Sequence, residues 1–206
     1  MNTTEIVPTA RDLTSDDREE SVSLLSQTIA EVPFYQWLLG GKENTEAIAW
    51  YADTMFSAHI PGGARGVFDE AGHLYGLVLW TTSDRPATPL NEDGRNAAAT
   101  MIASIPGFPQ RYHEMRESER VWTPPERCFA VAFTAVDPHG RRKGLLSGLI
   151  DPLVAEADAD GSAVLARTSD PELAQTYLRR WNAPTRAEFT LTDGPTIWIV
   201  QRDAPV

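Results

Sequence analysis

The sequence predicts a mixed α/β fold in which helices flank one mixed sheet. Three observations lead to this prediction. Apolar residues recur at near-helical spacing through the first quarter of the chain, two apolar runs around a glycine turn follow, and the last third alternates between strand-like and helix-like segments. An order of helices, hairpin, helices and then strand-helix-strand-helix-strand-strand disfavours an all-helical fold.

The first half is predicted to hold three helices and a hairpin. A capping pattern, SDDREES, precedes apolar residues at helical spacing and predicts a helix over about 16–30. A short helix, FYQWLLG, and a longer one, TEAIAWYADTMFSAHI, follow. The hairpin is ARGVFDEAGHLYGLVLWTT with Gly72 in its turn, and its second strand, 74–80, is apolar on both faces and so expected to be central. Residues 83–94 are predicted to be a loop.

The second half is predicted to hold two helices and then the alternating elements. The helices are RNAAATMIASI and PQRYHEMRESERVW. A strand over 127–136, a helix over about 143–157, a strand SAVLART and a short helix PELAQTYLRR come next. Two last strands, around AEFTLT and TIWIVQR, are joined by a turn at Gly194-Pro195.

Composition narrows the class of protein. The chain has 206 residues, 42% of them apolar, and we expect one domain over 1–206. A net charge of -11 argues against a nucleic-acid partner, and no apolar run is long enough for a membrane partner. The single cysteine, Cys128, excludes an internal disulfide and fits the cytoplasm. The four histidines show no metal-ligand spacing, so we expect no metal.

The segment VDPHGRRKGLLSGLI, residues 136–150, places Arg141, Arg142 and Lys143 side by side between a turn and a helix. Cations at a helix N-terminus oppose the helix dipole by about 0.3 to 1 kcal/mol each, which suggests that an anion binds there. Free backbone N–H groups and Gly144, which lacks a Cβ, favour a phosphate, most simply a pyrophosphate. The alternative is a solvated basic helix start. The pattern is neither a P-loop nor GxGxxG.

The same segment resembles the acetyl-CoA signature of the GNAT N-acyltransferases, roughly V-x-P-x-x-(Q/R)-x-x-G-x-(G/A). The matching positions are Val136, Pro138, Arg141 and Gly144. Leu146 stands where the family usually has Gly or Ala, and Arg142 where Gly is common. Downstream, a strand, a short helix and a tyrosine are similar to the family's continuation, at Thr168, Ser169, Asp170 and Tyr177.

The resemblance implies a mostly antiparallel central sheet, splayed between strands 4 and 5, with acetyl-CoA as co-substrate. The pantetheine arm is then expected to pair with the backbone of Phe133, Thr134, Ala135 and Val136, and an N–H near Thr134 to polarise the thioester carbonyl. The rest of the cofactor is expected to contact Arg141, Arg142, Lys143, Gly144, Leu145, Leu146 and Asp170. Tyr177 takes the role of general acid, with core packing as its alternative.

The implied function is acyl-CoA-dependent N-acetylation of a primary amine on a small molecule by direct attack. The alternative is a non-catalytic GNAT-like protein that binds acyl-CoA or another ligand; a protein acceptor is disfavoured. The general base stays open among Glu126, His113 and Glu114. An aromatic group on the first helices packs in the core or walls the acceptor pocket: Phe34, Tyr35, Trp37, Trp50 and Tyr51. We expect a monomer or a homodimer.

Overall fold

A computed structural model describes residues 9–141 and 143–205 of the chain. Seven strands of this part form one sheet in the order β1-β2-β3-β4-β5-β7-β6, in which only β4 and β5 are parallel neighbours. The prediction of a mixed, mostly antiparallel sheet is therefore confirmed. The strands are β1 (Thr9–Asp12), β2 (Ala64–Phe68), β3 (Leu74–Thr82), β4 (Cys128–Val136), β5 (Ala163–Thr168), β6 (Thr185–Thr190) and β7 (Thr196–Arg202).

Seven α-helices surround the sheet in the described part. Side-chain caps begin three of them, because Asn44, Asn91 and Asp170 each accept a hydrogen bond from a backbone N–H of the first turn. The helices are α1 (Arg18–Glu31), α2 (Pro33–Leu39), α3 (Thr45–His59), α4 (Glu92–Ser104), α5 (Phe108–Ser118), α6 (Leu145–Asp160) and α7 (Pro171–Trp181).

The two faces of the sheet bury different sets of helices. Successive side chains of a strand point to opposite faces, so Leu77 and Leu79 of β3 join the core beneath α1–α3, whereas Val78 and Trp80 join the core beneath α6 and α7. All four side chains are at most 3% exposed. The prediction that this strand is central is confirmed, and the fold has three layers.

Some sequence-predicted boundaries are wrong. The predicted loop over 83–94 ends early, because Asn91 caps α4 and starts it at Glu92. The first helix is preceded by a 3-10 turn over Ser15–Asp17, and α6 begins at Leu145 because Gly144 holds a left-handed conformation there. The edge strand β1 was not predicted, since its four residues are all exposed and carry no apolar pattern.

Strands β4 and β5 separate part of the way along their length. Their pairing covers only Cys128–Val131 against Ala163–Ala166, after which the second half of β4 keeps β3 alone as a neighbour. At the point of separation β4 has a bulge: Leu79 faces Phe133 and Trp80 faces Val131, so Ala132 is the extra residue. The bulge bends β4, and the splay expected between strands 4 and 5 is present.

Candidate active site

A cavity of about 360 Å³ opens where β4 and β5 separate. Its walls come from the second half of β4, the end of β5 and helices α2, α3, α5 and α7. It therefore lies where the resemblance places the thioester, and the lining side chains decide what chemistry it can support.

The backbone of β4 forms one side of the cavity. Phe133 and Thr134 line it directly, and the Phe133 ring packs against Tyr35 with 5.3 Å between ring centroids. Ala135 is fully buried, and Val136 ends the strand and packs against the core under α6. The side chains of these four residues are held in place by packing. On the β5 side, no strand in the described part of the chain pairs with their backbone.

Tyr177 and Thr134 bring two hydroxyl groups to this side. Tyr177 is 4% exposed, and its ring packs on Trp181, whose indole N–H donates to Asp151 at 2.7 Å. Burial raises the pKa of Tyr177 to about 12, and the nearby Thr134 hydroxyl opposes the rise. That proximity falls short of a regular hydrogen bond, because Thr134 Oγ1 is buried without a partner in the described part of the chain. Tyr177 is thus a protonated phenol at neutral pH.

Three charged side chains that were not predicted from the sequence also line the cavity: Arg116, Glu119 and Arg167. Glu119 has a side chain only 12% exposed and lies 3.1 Å from Arg116 and 3.0 Å from Arg167. Glu119 stands in a run of charged residues at the end of α5, where spacing does not distinguish it from its neighbours. Its partner Arg167 lies in β5, so only the folded chain brings the two together.

Three of the five aromatic residues singled out on the first helices line the cavity, and two do not. Phe34, Tyr35 and Tyr51 line the cavity, and burial raises the pKa of Tyr51 to about 12 and that of Tyr35 well above its usual value. Trp37 is not in the lining; its indole N–H donates to the Thr192 carbonyl at 2.9 Å. Trp50 is also outside the lining. Phe34, Tyr35, Trp37 and Tyr51 also pack against the core, and the role of the cavity as an acceptor pocket stays a prediction.

None of the three candidate bases named from the sequence lines the cavity. Glu114 instead accepts a hydrogen bond from the Thr192 N–H at 2.6 Å, and His113 and Glu126 are exposed. His59 does line it. Burial lowers the pKa of His59, and its Nδ1 lies 2.7 Å from the Met55 carbonyl, which makes Nδ1 the donor and leaves Nε2 of the neutral ring as an acceptor.

The predicted anion site at the start of α6 has open space beside Gly144. Gly144 has φ +80°, and a Cβ built on it would meet nothing within 4 Å. The Gly148 N–H is bonded within the helix, to the Gly144 carbonyl at 3.0 Å, whereas the N–H groups before it have no intrahelical acceptor. Leu145 is buried, and Leu146 packs partly buried against the core under α6.

The predicted phosphate-binding cations differ in their surroundings. Arg141 pairs with Glu31 at the end of α1, and its Nε donates to the Val136 carbonyl at 3.3 Å. Lys143 is exposed beside Gly144. Arg142 lies outside the described residues. The Arg141 guanidinium must therefore exchange a carboxylate for a phosphate if it contacts the cofactor.

Asp170, the last predicted cofactor contact, has a structural role in α7. Its carboxylate accepts hydrogen bonds from the N–H groups of Glu172 at 2.8 Å and Leu173 at 3.3 Å. A contact with the cofactor stays a prediction. In residues 9–141 and 143–205, no group of three or more His, Cys, Asp or Glu side chains is arranged to hold a metal ion. No helix of that part is long and apolar enough to cross a membrane.

No family model and no curated protein matches the sequence significantly, but many solved structures match the fold. A Corynebacterium glutamicum protein named histone acetyltransferase HPA2 and related acetyltransferase aligns with a TM-score of 0.69 and 15% identity over 97% of each chain. Arylalkylamine N-acetyltransferase 2 from Aedes aegypti aligns with a TM-score of 0.69 and 13% identity, over 96% of this chain and 99% of that one. An agmatine N-acetyltransferase aligns with a TM-score of 0.58 and 14% identity, over 95% of this chain and 98% of that one. The chain thus has the fold of the GNAT N-acetyltransferases, which confirms the fold expected from its sequence.

Proposed function

We propose that the protein is an acyl-CoA-dependent N-acetyltransferase that moves an acetyl group from acetyl-CoA to a primary amine of a small molecule by direct attack. The observation that carries the proposal is the half of β4 that lacks a β5 partner and opens onto a cavity lined by a protonated tyrosine. We assign the activity to one acyltransferase domain over residues 1–206.

The residues present fit acetyl-CoA as co-substrate. The unpaired edge of β4, residues 133–136, offers backbone N–H and C=O groups to the pantetheine amides. Among the described residues, the buried Thr134 hydroxyl has no regular hydrogen-bond partner, and a ligand in the cavity would supply one. At the start of α6, the open space beside Gly144 and the backbone N–H groups of the first turn suit a pyrophosphate.

The chemistry follows from these groups. The uncharged amine attacks the thioester carbonyl carbon, while a β4 N–H near Thr134 stabilises the developing oxyanion. The C–S bond then breaks, and Tyr177 donates its phenolic proton to the departing thiolate and later regains one from water. Two lining groups are able to accept the proton that the amine loses: the Glu119 carboxylate and the neutral His59 ring.

The form of the cavity supports a small-molecule acceptor. Its aromatic walls favour a compact, partly apolar amine, and two neighbours in fold are named as transferases for arylalkylamines and agmatine. The net charge of -11 and the single cysteine support a cytoplasmic protein that does not bind nucleic acid. Monomer and homodimer are both compatible with the proposal.

A second function, acyl-CoA binding without transfer, is favoured by two observations. Arg141, the arginine of the signature, pairs with Glu31, and the Asp170 carboxylate is engaged as a helix cap. A binding protein takes up acetyl-CoA but forms no product.

Mass spectrometry of N-acetylated product, with acetyl-CoA and a panel of small primary amines, distinguishes the two functions. Turnover that is lost in Tyr177→Phe supports the transferase. Tight acetyl-CoA binding with no product from any amine supports the binding protein.

A further inference from the structure

One wall of the cavity carries a cluster of one carboxylate and two guanidinium groups. Both oxygens of Glu119 are engaged, Oε2 by Arg116 and Oε1 by Arg167. The cluster therefore has a net charge of one positive unit, on a protein whose overall charge is -11. A cavity adapted only to attract a cationic amine would be expected to carry the opposite balance.

Arg167 has unused hydrogen-bonding capacity. A guanidinium has five N–H donors. Arg167 makes one ion pair with Glu119 at 3.0 Å, and within residues 9–141 and 143–205 it donates no hydrogen bond of regular geometry. Arg111, by contrast, does not line the cavity, and its Nε and Nη2 donate hydrogen bonds to the Leu38 carbonyl at 3.2 and 3.0 Å. Half of the Arg167 side chain is exposed, so its planar fork is available to a ligand in the cavity.

Two phenol groups lie near the same charges. The hydroxyls of Tyr35 and Tyr51 have no hydrogen-bond partner in the described part of the chain, and both residues line the cavity. Burial raises the pKa of each phenol, the positive charge of Arg167 opposes that rise in both, and all three side chains line the same cavity. The Glu119–Arg167 pair and these two hydroxyls thus supply polar groups to a cavity with aromatic walls.

This cluster is complementary to a zwitterion. A carboxylate pairs with a guanidinium through two parallel hydrogen bonds, and an ammonium group is attracted to the Glu119 carboxylate. Phe34, Phe133 and Phe189, which also line the cavity, suit a flat apolar side group.

We propose that the acceptor is an aromatic amino acid, whose carboxylate binds Arg167 and whose amino group lies beside Glu119 before it is acetylated. The acetylation step rests on the proposed transferase function, whereas the carboxylate site does not. An arylalkylamine without a carboxylate would leave the Arg167 fork without a partner and is the poorer ligand.

Calorimetric titration with three probes tests the site without requiring catalysis. The probes are L-phenylalanine, 3-phenylpropionate, which lacks the amine, and phenethylamine, which lacks the carboxylate. We expect L-phenylalanine to bind at least about tenfold more tightly than phenethylamine, because a hydrogen-bonded charge pair is lost. In Arg167→Gln, affinity for the two carboxylates falls about ten- to a hundredfold, whereas affinity for phenethylamine does not fall, because the lost charge repels an ammonium.

Two further variants keep the test decisive. Arg120→Gln is the matched control and leaves all three affinities unchanged. Arg120 is an exposed arginine just after α5 that pairs with Glu117 outside the cavity. Arg167→Lys keeps the charge without the fork and gives an intermediate loss, and it replaces Arg167→Gln if that variant does not fold. The inference is overturned if no aryl carboxylate binds at millimolar concentration, if phenethylamine binds as tightly as L-phenylalanine, or if neither Arg167 variant weakens carboxylate binding.

Turnover separates this inference from the proposed function. If the protein binds L-phenylalanine through Arg167 but never acetylates it, the carboxylate site stands and the transferase does not. If phenethylamine is acetylated more efficiently than L-phenylalanine, the transferase stands and the amino-acid acceptor is wrong.

Discussion

Replacing Tyr177 with Phe removes one oxygen atom from the centre of the proposed site. The ring stays the same size, and it is 4% exposed and packed on Trp181, so the variant should fold with little change in stability. If Tyr177 is the acid that protonates the thiolate, kcat should fall by about 10²- to 10⁴-fold.

The protonation state of the phenol determines which role Tyr177 can take. Its pKa of about 12 lies roughly two units above the ordinary tyrosine value, which corresponds to about 3 kcal/mol in favour of the neutral form. At about pH 8 the group is then almost entirely protonated and acts as a proton donor, not as a base. The backbone of β4 is untouched by the substitution, so KM for acetyl-CoA should change little.

Initial rates of product formation at saturating acetyl-CoA measure this effect. Tyr112→Phe is the control, because Tyr112 lines the same cavity but is 47% exposed. We expect near-normal kcat in that control and a loss confined to kcat in Tyr177→Phe. A Tyr177→Phe enzyme whose kcat stays within about threefold of the wild type refutes the assignment, since an essential proton donor contributes far more.

Three more outcomes are expected. Glu31→Gln should free Arg141 and raise acetyl-CoA affinity by up to about fivefold in calorimetry, the range of an exposed ion pair, and weaker binding would contradict this competition. Gly144→Ala should lower stability by about 1 to 2 kcal/mol, because Gly144 has a φ of +80°. Gly148→Ala lies inside α6 with open space around it and should raise stability by about 0.5 to 1 kcal/mol. Equal effects of the two substitutions in thermal unfolding would exclude the strain argument. Tyr51, with a pKa raised to about 12, contributes stability that is complete below about pH 10 and is lost as pH rises to about 12. A Tyr51→Phe protein that loses as much stability as wild type over that pH interval would refute this contribution.

The sequence was informative where a local pattern decides the structure. β3 is apolar on both faces, and it lies inside the sheet between β2 and β4. The signature around Gly144 implied the splay between β4 and β5, which the residues of either strand do not show by themselves. The hairpin, the helices and the succession of strands and helices along the chain were predictable for the same reason, since each depends on periodicity and turn residues over short distances.

The parts that were missed depend on contacts between distant segments. The Glu119–Arg167 pair joins the end of α5 to β5, and the Arg141–Glu31 pair joins the start of α6 to the end of α1. No spacing rule connects such positions. β1 was missed for a different reason: an exposed four-residue edge strand is held by backbone pairing with β2, which its side chains do not reveal.

Calorimetric titration of the purified protein with acetyl-CoA, beside Arg141→Glu, tests the central claim most directly. We predict micromolar binding that raises the midpoint of thermal unfolding and is weakened at least about tenfold in Arg141→Glu, because a phosphate contact is replaced by repulsion. Arg120→Glu, which reverses an exposed charge away from the cavity, should bind normally. No heat and no stabilisation in the wild type, or equal affinity in Arg141→Glu, would contradict the account.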